Sequence, residues 1–263
     1  SITTDGAFGA INAPVANVIG AITLPGGAKT ISLLSANGGT MTIGGGPSPA
    51  INLTQIGNET INSAVPIRSI QVAMDAGVNL TAPSVGTFLV AGSLIDSTLD
   101  LTAPTAARVF DLRTLSVGRG IIDTTIHSAG NVAKISAQDM SGSTIFAGVA
   151  SLPASQGLPA APGDFASAAT IASIVLARSS AQPSFSNSNI AAFNLGNLQL
   201  GNILMNNAGA HFGVAGHQVG TVVGTDLATR RSFTIKNATS AVATAAALQA
   251  RGINPQDFEI ILV

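Results

Sequence analysis

The sequence predicts an all-β fold, a parallel β-solenoid (β-helix) with coils of about 19–24 residues, and three observations carry that expectation. The first is a recurring six-residue pattern: apolar, variable, small polar or Lys, apolar, variable, apolar. It reads IRSIQV from residue 67, VGTFLV from 85, LRTLSV from 112, VAKISA from 132, IASIVL from 171, LGNLQL from 195 and VGTVVG from 219, with an early copy IGAITL from 19. Its last three positions alternate in and out, the period of a strand with one buried face. The second is an interleaved series in which a small polar pair precedes an apolar residue, as in DSTL from 96, DTTI from 123 and GSTI from 142. Its apolar members Ile61, Leu80, Leu99, Ile126, Ile145 and Ile190 are spaced 19, 19, 27, 19 and 45. The central residues of the first pattern (Ile70, Phe88, Leu115, Ile135, Ile174, Leu198, Val222) are spaced 18, 27, 20, 39, 24 and 24. Both series lengthen together around residues 101–110, as two sides of one coil must. The third is the supply of 29 Gly, with Asn and Asp, at the joints between short apolar runs, where tight corners need positive φ. A leucine-rich repeat has a similar period, but the Asn/Cys-x-Leu that should follow is missing, and so is a helical stretch in each repeat. A β-sandwich is the other arrangement of many short strands.

The elements follow in order. Residues 1–17 alternate weakly (Ile2, Phe8, Ile11, Val15) and lie outside the repeat, as an extended arm or an irregular first coil. Residues 18–150 are solenoid coils. Residues 151–168, with Pro153, Pro159 and Pro162, are a loop excursion that leaves the stack and lies over the solenoid side. Residues 169–236 resume the coils. Residues 237–263 form a terminal cap: a helix over 241–250, started by Ser240 or Thr239, suited at its end by Arg251, stopped by Gly252 and closed by Pro255, then a strand over 258–263. An open solenoid end exposes apolar core and unpaired edges, which such a cap covers.

Composition narrows the function. The 263 residues are 46% hydrophobic and only 9% charged, against roughly 25% in an ordinary soluble domain. Eleven Lys+Arg against twelve Asp+Glu give a net charge of -1, with no basic footprint for nucleic acid. The chain has no Cys, Trp or Tyr, which removes disulfides, thiolate metal sites and a cysteine nucleophile. No apolar run is long enough for a membrane-spanning helix. A start at Ser1 without basic or apolar leader regions fits the processed chain of a secreted protein.

Catalytic chemistry has weak footholds. Asp96, Asp100, Asp123 and Asp139 lie near Arg108, Arg113 and Arg119 in the sequence. Asp96 and Asp123 each precede the apolar member of the second series by three residues, which would stack them on successive coils. Paired carboxylates with Arg119 are the catalytic candidates of a sugar-cleaving solenoid, yet Asp also favours corners because its side chain caps turn amides. The sugar platforms that Trp and Tyr provide are missing. His127, His211 and His217 lack metal-ligand spacing, and the glycine clusters at 26–27 and 44–46 lack the Lys-Ser/Thr of a phosphate loop. No cofactor or metal is expected. Four Asn-x-Ser/Thr sequons (Asn52, Asn58, Asn79, Asn237) are compatible with a glycosylated exterior. Outward threonines such as Thr40, Thr42, Thr98, Thr124, Thr125 and Thr144 suggest ice binding only if they form a fixed array on every coil.

The GSTIFAGV run from 142, the Pro-rich excursion, FSNSNI from 185, NNAGAHFG from 206 and the terminal DFEIILV together resemble one module. It is similar to the C-terminal β-solenoid region of large secreted bacterial cell-surface repeat proteins, over about residues 60–263. The resemblance implies a solenoid at an extracellular location and carries over no catalytic residues. The expected function is therefore a non-enzymatic structural subunit of a fibre, sheath or surface layer. Such a subunit would form a homo-oligomer or homopolymer through its ends and N-terminal arm, with Ile2, Phe8, Ile11, Val15, Phe258, Ile260 and Leu262 as assembly residues. The alternatives are an adhesin or stalk presenting the loops 152–168 and 206–217 to a surface glycan or another cell, and a polysaccharide lyase or hydrolase.

Overall fold

A computed structural model of the chain describes residues 2–4, 6–102, 109–150, 152, 157–177, 182–238 and 240–263. The aliphatic periodicity closes into about 10 turns of a parallel β-solenoid with a C-terminal helix and strand. Three columns of strands run through the stack. A long column begins at Phe8–Val18 and ends at Gln218–Asp226. A short one holds Leu94–Ile95, Gly120–Ile122, Asp139–Ser141 and Phe185–Ser186. The last runs from Ile2–Thr3 to Phe258–Leu262. Among the described strands every pairing is parallel except that of Ser232–Ala238 with Gln218–Asp226.

Both sequence series become continuous interior files. In the long column Ile11, Ile31, Ile51, Ile70, Phe88, Leu115, Ile135, Ile174, Leu198 and Val222 stand in register on successive coils. In the other, Ile2, Ile22, Met41, Ile61, Leu80, Leu99, Ile126, Ile145, Ile190, Val214 and Ile260 do the same. Each inner member touches only aliphatic or aromatic neighbours above and below, which is how a 46% hydrophobic chain with few charges fills a continuous core. The early copy IGAITL belongs to the second file, because its Ile22 pairs with Ile2 and Met41. The intervals of 39 and 45 residues are single steps, lengthened by residues 148–169 and again between Leu176 and Phe185. The shared lengthening near 101–110 falls mostly on residues 103–108, outside the described residues.

Of the two expectations for residues 1–17 the described residues take the irregular first coil, since Ile2–Thr3 pairs with Ala21–Leu24 and Phe8–Val18 pairs with Ala28–Asn37. The ladder there is interrupted between Ala13 and Asn17, where Pro14 has no N–H to offer. Two other expectations are corrected. Residues 232–238 do not add another coil: they fold back antiparallel over the last strand of the long column and belong to the cap. The second correction concerns the helix end. Helix α1 (Ala241–Gln249) starts as expected, with Ser240 Oγ accepting the Ala243 N–H at 3.1 Å. Thr239 lies outside the described residues. At its other end Arg231, not Arg251, supplies the cation, donating from Nη1 to the carbonyls of Arg251 (3.1 Å) and Gly252 (2.9 Å). Gly252 has φ +66°, the left-handed stop its position requires.

The described part of the excursion lies against the outer side of the stack. Leu158 is buried with Phe146, Ala191 and Ala215, and Phe165 bridges to Val149 and meets Phe193 edge-on at 5.9 Å. No helix among the described residues is long and apolar enough to cross a membrane.

Hydroxyls hold one corner of the stack. On four coils the residue just before the third column turns inward as Ser97, Thr124, Ser143 or Ser188, and all four are buried. Each accepts a backbone N–H from the coil before it: Val78 to Ser97 at 3.0 Å, Ser97 to Thr124 at 3.4 Å, Thr124 to Ser143 at 3.1 Å and Ser143 to Ser188 at 3.1 Å. Each also donates to the carbonyl two residues earlier in its own coil. The corner amides, which no strand partner reaches, are satisfied inside the protein. Thr124→Val keeps the volume but strands the Ser97 N–H, at a cost of about 1–3 kcal/mol, while the Ile122 carbonyl keeps the Asp96 N–H. Thr124→Ser keeps the hydroxyl and costs no more than about 1 kcal/mol for one buried methyl. Urea unfolding of both variants measures the difference, and a valine variant as stable as the parent contradicts the assignment.

Candidate functional site

The catalytic candidates are placed by the corner itself. Thr98 pairs with Thr125, so Asp96 and Asp123 occupy one corner on successive coils, as the spacing predicts. Both have φ +47°, and the same corner holds Asn58 (+49°), Gly142 (+58°) and Asn187 (+41°). This file collects the residues that tolerate the left-handed region best. Gly142 lies beneath Asp123, where a Cβ would stand 2.1 Å from the end of the Asp123 side chain, Oδ1. Arg119 sits at the other end of the short strand Gly120–Ile122, where Gln138 donates to its carbonyl. Among the described residues it forms no ion pair with Asp96 or Asp123. Asp139 packs over Gly120 on that far side, and burial raises its carboxyl above the usual range. Asp100 faces outward beside Thr81 and His127, Arg113 is exposed, and Arg108 lies outside the described residues. The acidic pair is thus brought together, but the basic partner is not. The corner gives both residues a conformational role through their left-handed backbone.

The assembly candidates separate into two unlike ends. At the first coil Phe8 is 43% exposed and Val15 85%, while Ile2, Ile11, Ala13 and Val18 are half-buried against the core. Phe8 donates its N–H to Gly27, so by strand alternation the N–H groups of Gly9 and Ile11 face away from the stack. At the last coil Phe258 and Ile260, expected at an end-to-end contact, are sealed inside instead. Phe258 packs on Phe185, Phe212 and Phe233 with ring centroids 5.7–6.3 Å apart, and Leu248 and Ile253 close the cluster. Leu262 is half-buried. Four of the ten Phe stand in this plug, a sequence asymmetry that marks the capped end. The outer edge of Phe258–Leu262 lies beside α1, with a crevice of about 220 Å³ between them.

The loop 206–217 is tied to the cap. Asp257 accepts N–H groups from Asn207 (2.6 Å) and Gly209 (3.1 Å), and these two bonds, with His211 nearby, hold its carboxyl below the usual range. His211 forms an ion pair with Glu259. His217 stacks on Phe193 at 4.5 Å and bonds through Nδ1 to the Val263 oxygen at 2.7 Å, and His127 stacks on Phe146 at 5.9 Å. Among the described residues no three His, Asp or Glu approach closely enough to hold a metal ion. On the outer face of the third column Thr40, Thr60, Thr98, Thr125 and Thr144 form a file broken by Asn79. The neighbouring file drifts from Thr42 through Asn62, Thr81 and Asp100 to His127 and Phe146, and Thr124 points inward. That drift is not the fixed two-file array that ice binding needs.

One buried carboxylate escaped sequence reasoning. Glu59 occupies the inward corner that hydroxyls hold farther along, and it is 0% exposed. Its Oε2 accepts the Gly39 N–H at 2.8 Å, while Oε1 has no hydrogen-bond partner among the described residues. The side chain fills the space above Gly39, the residue of the preceding coil that precedes Thr40 as Glu59 precedes Thr60. The only sequence signal was its place directly before the Thr60-Ile61 step of the repeat.

Comparison with known protein families, curated proteins and solved structures finds no significant match.

Burial raises the Glu59 carboxyl above its ordinary value of 4.5, partly offset by the Gly39 N–H. A carboxyl raised in the fold stabilises it fully below the unfolded value, and this contribution is lost as pH climbs through the folded one. Each pH unit of elevation is worth about 1.4 kcal/mol. The stability of Glu59→Gln relative to the parent accordingly grows as pH rises from 4.5 towards neutrality. Thermal unfolding of the two proteins across that range checks it, and a difference independent of pH contradicts it.

Proposed function

We propose that the chain is a non-enzymatic structural module, a stiff β-solenoid that self-associates in an extracellular fibre, sheath or surface layer. The observation that carries this reading is the uncharged strand Phe8–Val18. Among the described residues nothing packs on its outer edge or over half-buried Ile2, Ile11 and Val18, whereas the last coil is plugged by phenylalanines and α1. A strand edge above exposed core is a template for another chain, and natural proteins normally charge it, cover it or break it. Here Pro14 is the only such device in the Phe8–Val18 strand, which has no charged residue. Two first coils meeting edge to edge form a closed pair. A first coil meeting the outer edge of Phe258–Leu262 forms a head-to-tail chain that does not close. Few charges mean little repulsion between close-packed copies. The extracellular setting rests on the resemblance to secreted surface repeat proteins. The non-enzymatic reading is supported by the lack of an ion pair between Arg119 and Asp96 or Asp123 among the described residues, and by the left-handed turn conformation that both Asp residues supply.

Sedimentation velocity over a wide concentration range, with negative-stain imaging, tests the association. The parent protein forms dimers or longer rods as concentration rises. Gly9→Pro with Val15→Lys, which removes an outward N–H and adds a charge at an exposed position, stays monomeric with unchanged thermal stability. A parent protein that remains a discrete monomer at every concentration overturns the proposal.

A further inference from the structure

The outer surface of the long column carries a groove of about 760 Å³ that crosses the first coils. Its floor is the backbone of Leu53, Val72 and Val90, whose side chains point into the core. One wall is a file of outward side chains, one per coil: Ser32, Asn52, Gln71, Leu89 and Ser116. The opposite wall is low, made by Thr54, Ala73, Ala91 and Gly118. Gly118 cannot be larger, since a Cβ there would lie 2.1 Å from the Ala91 carbonyl oxygen.

We infer that this groove binds a neutral polysaccharide laid along the solenoid axis. None of the residues lining it is ionisable, so a polyanion finds no cation there and a polycation no carboxylate. The floor's backbone groups are already engaged in the coil-to-coil ladder, so a peptide strand gains no main-chain partners and strand addition is closed to it. What the groove offers is side-chain amides and hydroxyls, the groups that exchange hydrogen bonds with sugar hydroxyls, and Leu89 for the apolar face of a pyranose ring. Ser32, Asn52 and Gln71 follow one another at ~4.8 Å, the coil spacing, and Ser116 returns one coil beyond Leu89, so a polymer of hydroxylated units with a comparable repeat meets similar contacts on several coils. Individually weak contacts then add along one ligand chain. The groove starts at Asn12 and Pro14 on the first coil, but Asn52, Gln71 and Ala73, which the test alters, lie on later coils, so binding there is read independently of self-association.

An array of neutral and uronate oligosaccharides of increasing length tests the inference. The parent protein binds neutral oligomers, more tightly as they lengthen, and does not bind uronates. Asn52→Ala with Gln71→Ala removes two hydrogen-bonding side chains and weakens binding by about tenfold. Ala73→Gln fills the groove from its exposed wall, without touching the core, and weakens binding likewise. Thr81→Ala with Thr98→Ala, on the outer face of the third column, binds as the parent does. The inference is overturned if no neutral oligomer binds, if only uronates bind, or if Ala73→Gln, with an unfolding midpoint equal to the parent's, binds equally well.

Discussion

Every backbone amide in a stack of coils must find its partner in the coil above or below, and the corners are where strands cannot supply one. The rest of this structure depends on how that constraint is met. Along the strands the parallel ladder satisfies it directly. At the corner before the third column, left-handed Asn, Asp and Gly residues turn the chain. Directly after them come Ser97, Thr124, Ser143 and Ser188, whose hydroxyls accept the amides of the preceding coil. With the corner fixed, the next apolar residue falls into the interior file, which is why Leu99, Ile126, Ile145 and Ile190 stay in register despite insertions between coils.

The same constraint makes the ends and outer faces different in kind from the interior. An interior coil has both edges engaged, so its outer surface offers side chains only, and the groove over Asn52 and Gln71 is of this sort. An end coil offers backbone. The chain covers one end with an antiparallel strand, a helix and a cluster of phenylalanines, and among the described residues nothing covers the edge of the other. A scaffold that joins copies at its end and holds a glycan on its side would use these two kinds of surface separately.

Much of the architecture was legible because a solenoid repeats its inner contacts at a nearly constant interval. Ile70, Phe88, Leu115 and Ile135 could be aligned by eye, and the helix after Ser240 had its cap and stop residues in place. What escaped depended on which coil a residue faced. The hairpin strand Ser232–Ala238 has the alternation of a further coil, and only its antiparallel return reveals it as a lid. Residues 1–17 looked irregular because Pro14 breaks the ladder there. The stacking of Asp96 on Asp123 followed from their spacing, whereas the distance of Arg119 from both depends on its lying at the opposite end of a short strand. Glu59 gave almost no signal, since a carboxylate in the place of a serine reads as an exposed turn until the corner is seen to point inward.

Because the chain has no cysteine, pairs of spin labels can be introduced on the outer face of the third column without background. Thr125, Thr144 and Asn189 stand on three successive coils of the file that includes Thr40. The label separations Thr40–Thr125, Thr40–Thr144 and Thr40–Asn189 should rise by about 4.8 Å per coil, from roughly 19 to roughly 29 Å. Separations that do not climb in that even step would contradict the stacked coils and everything built on them.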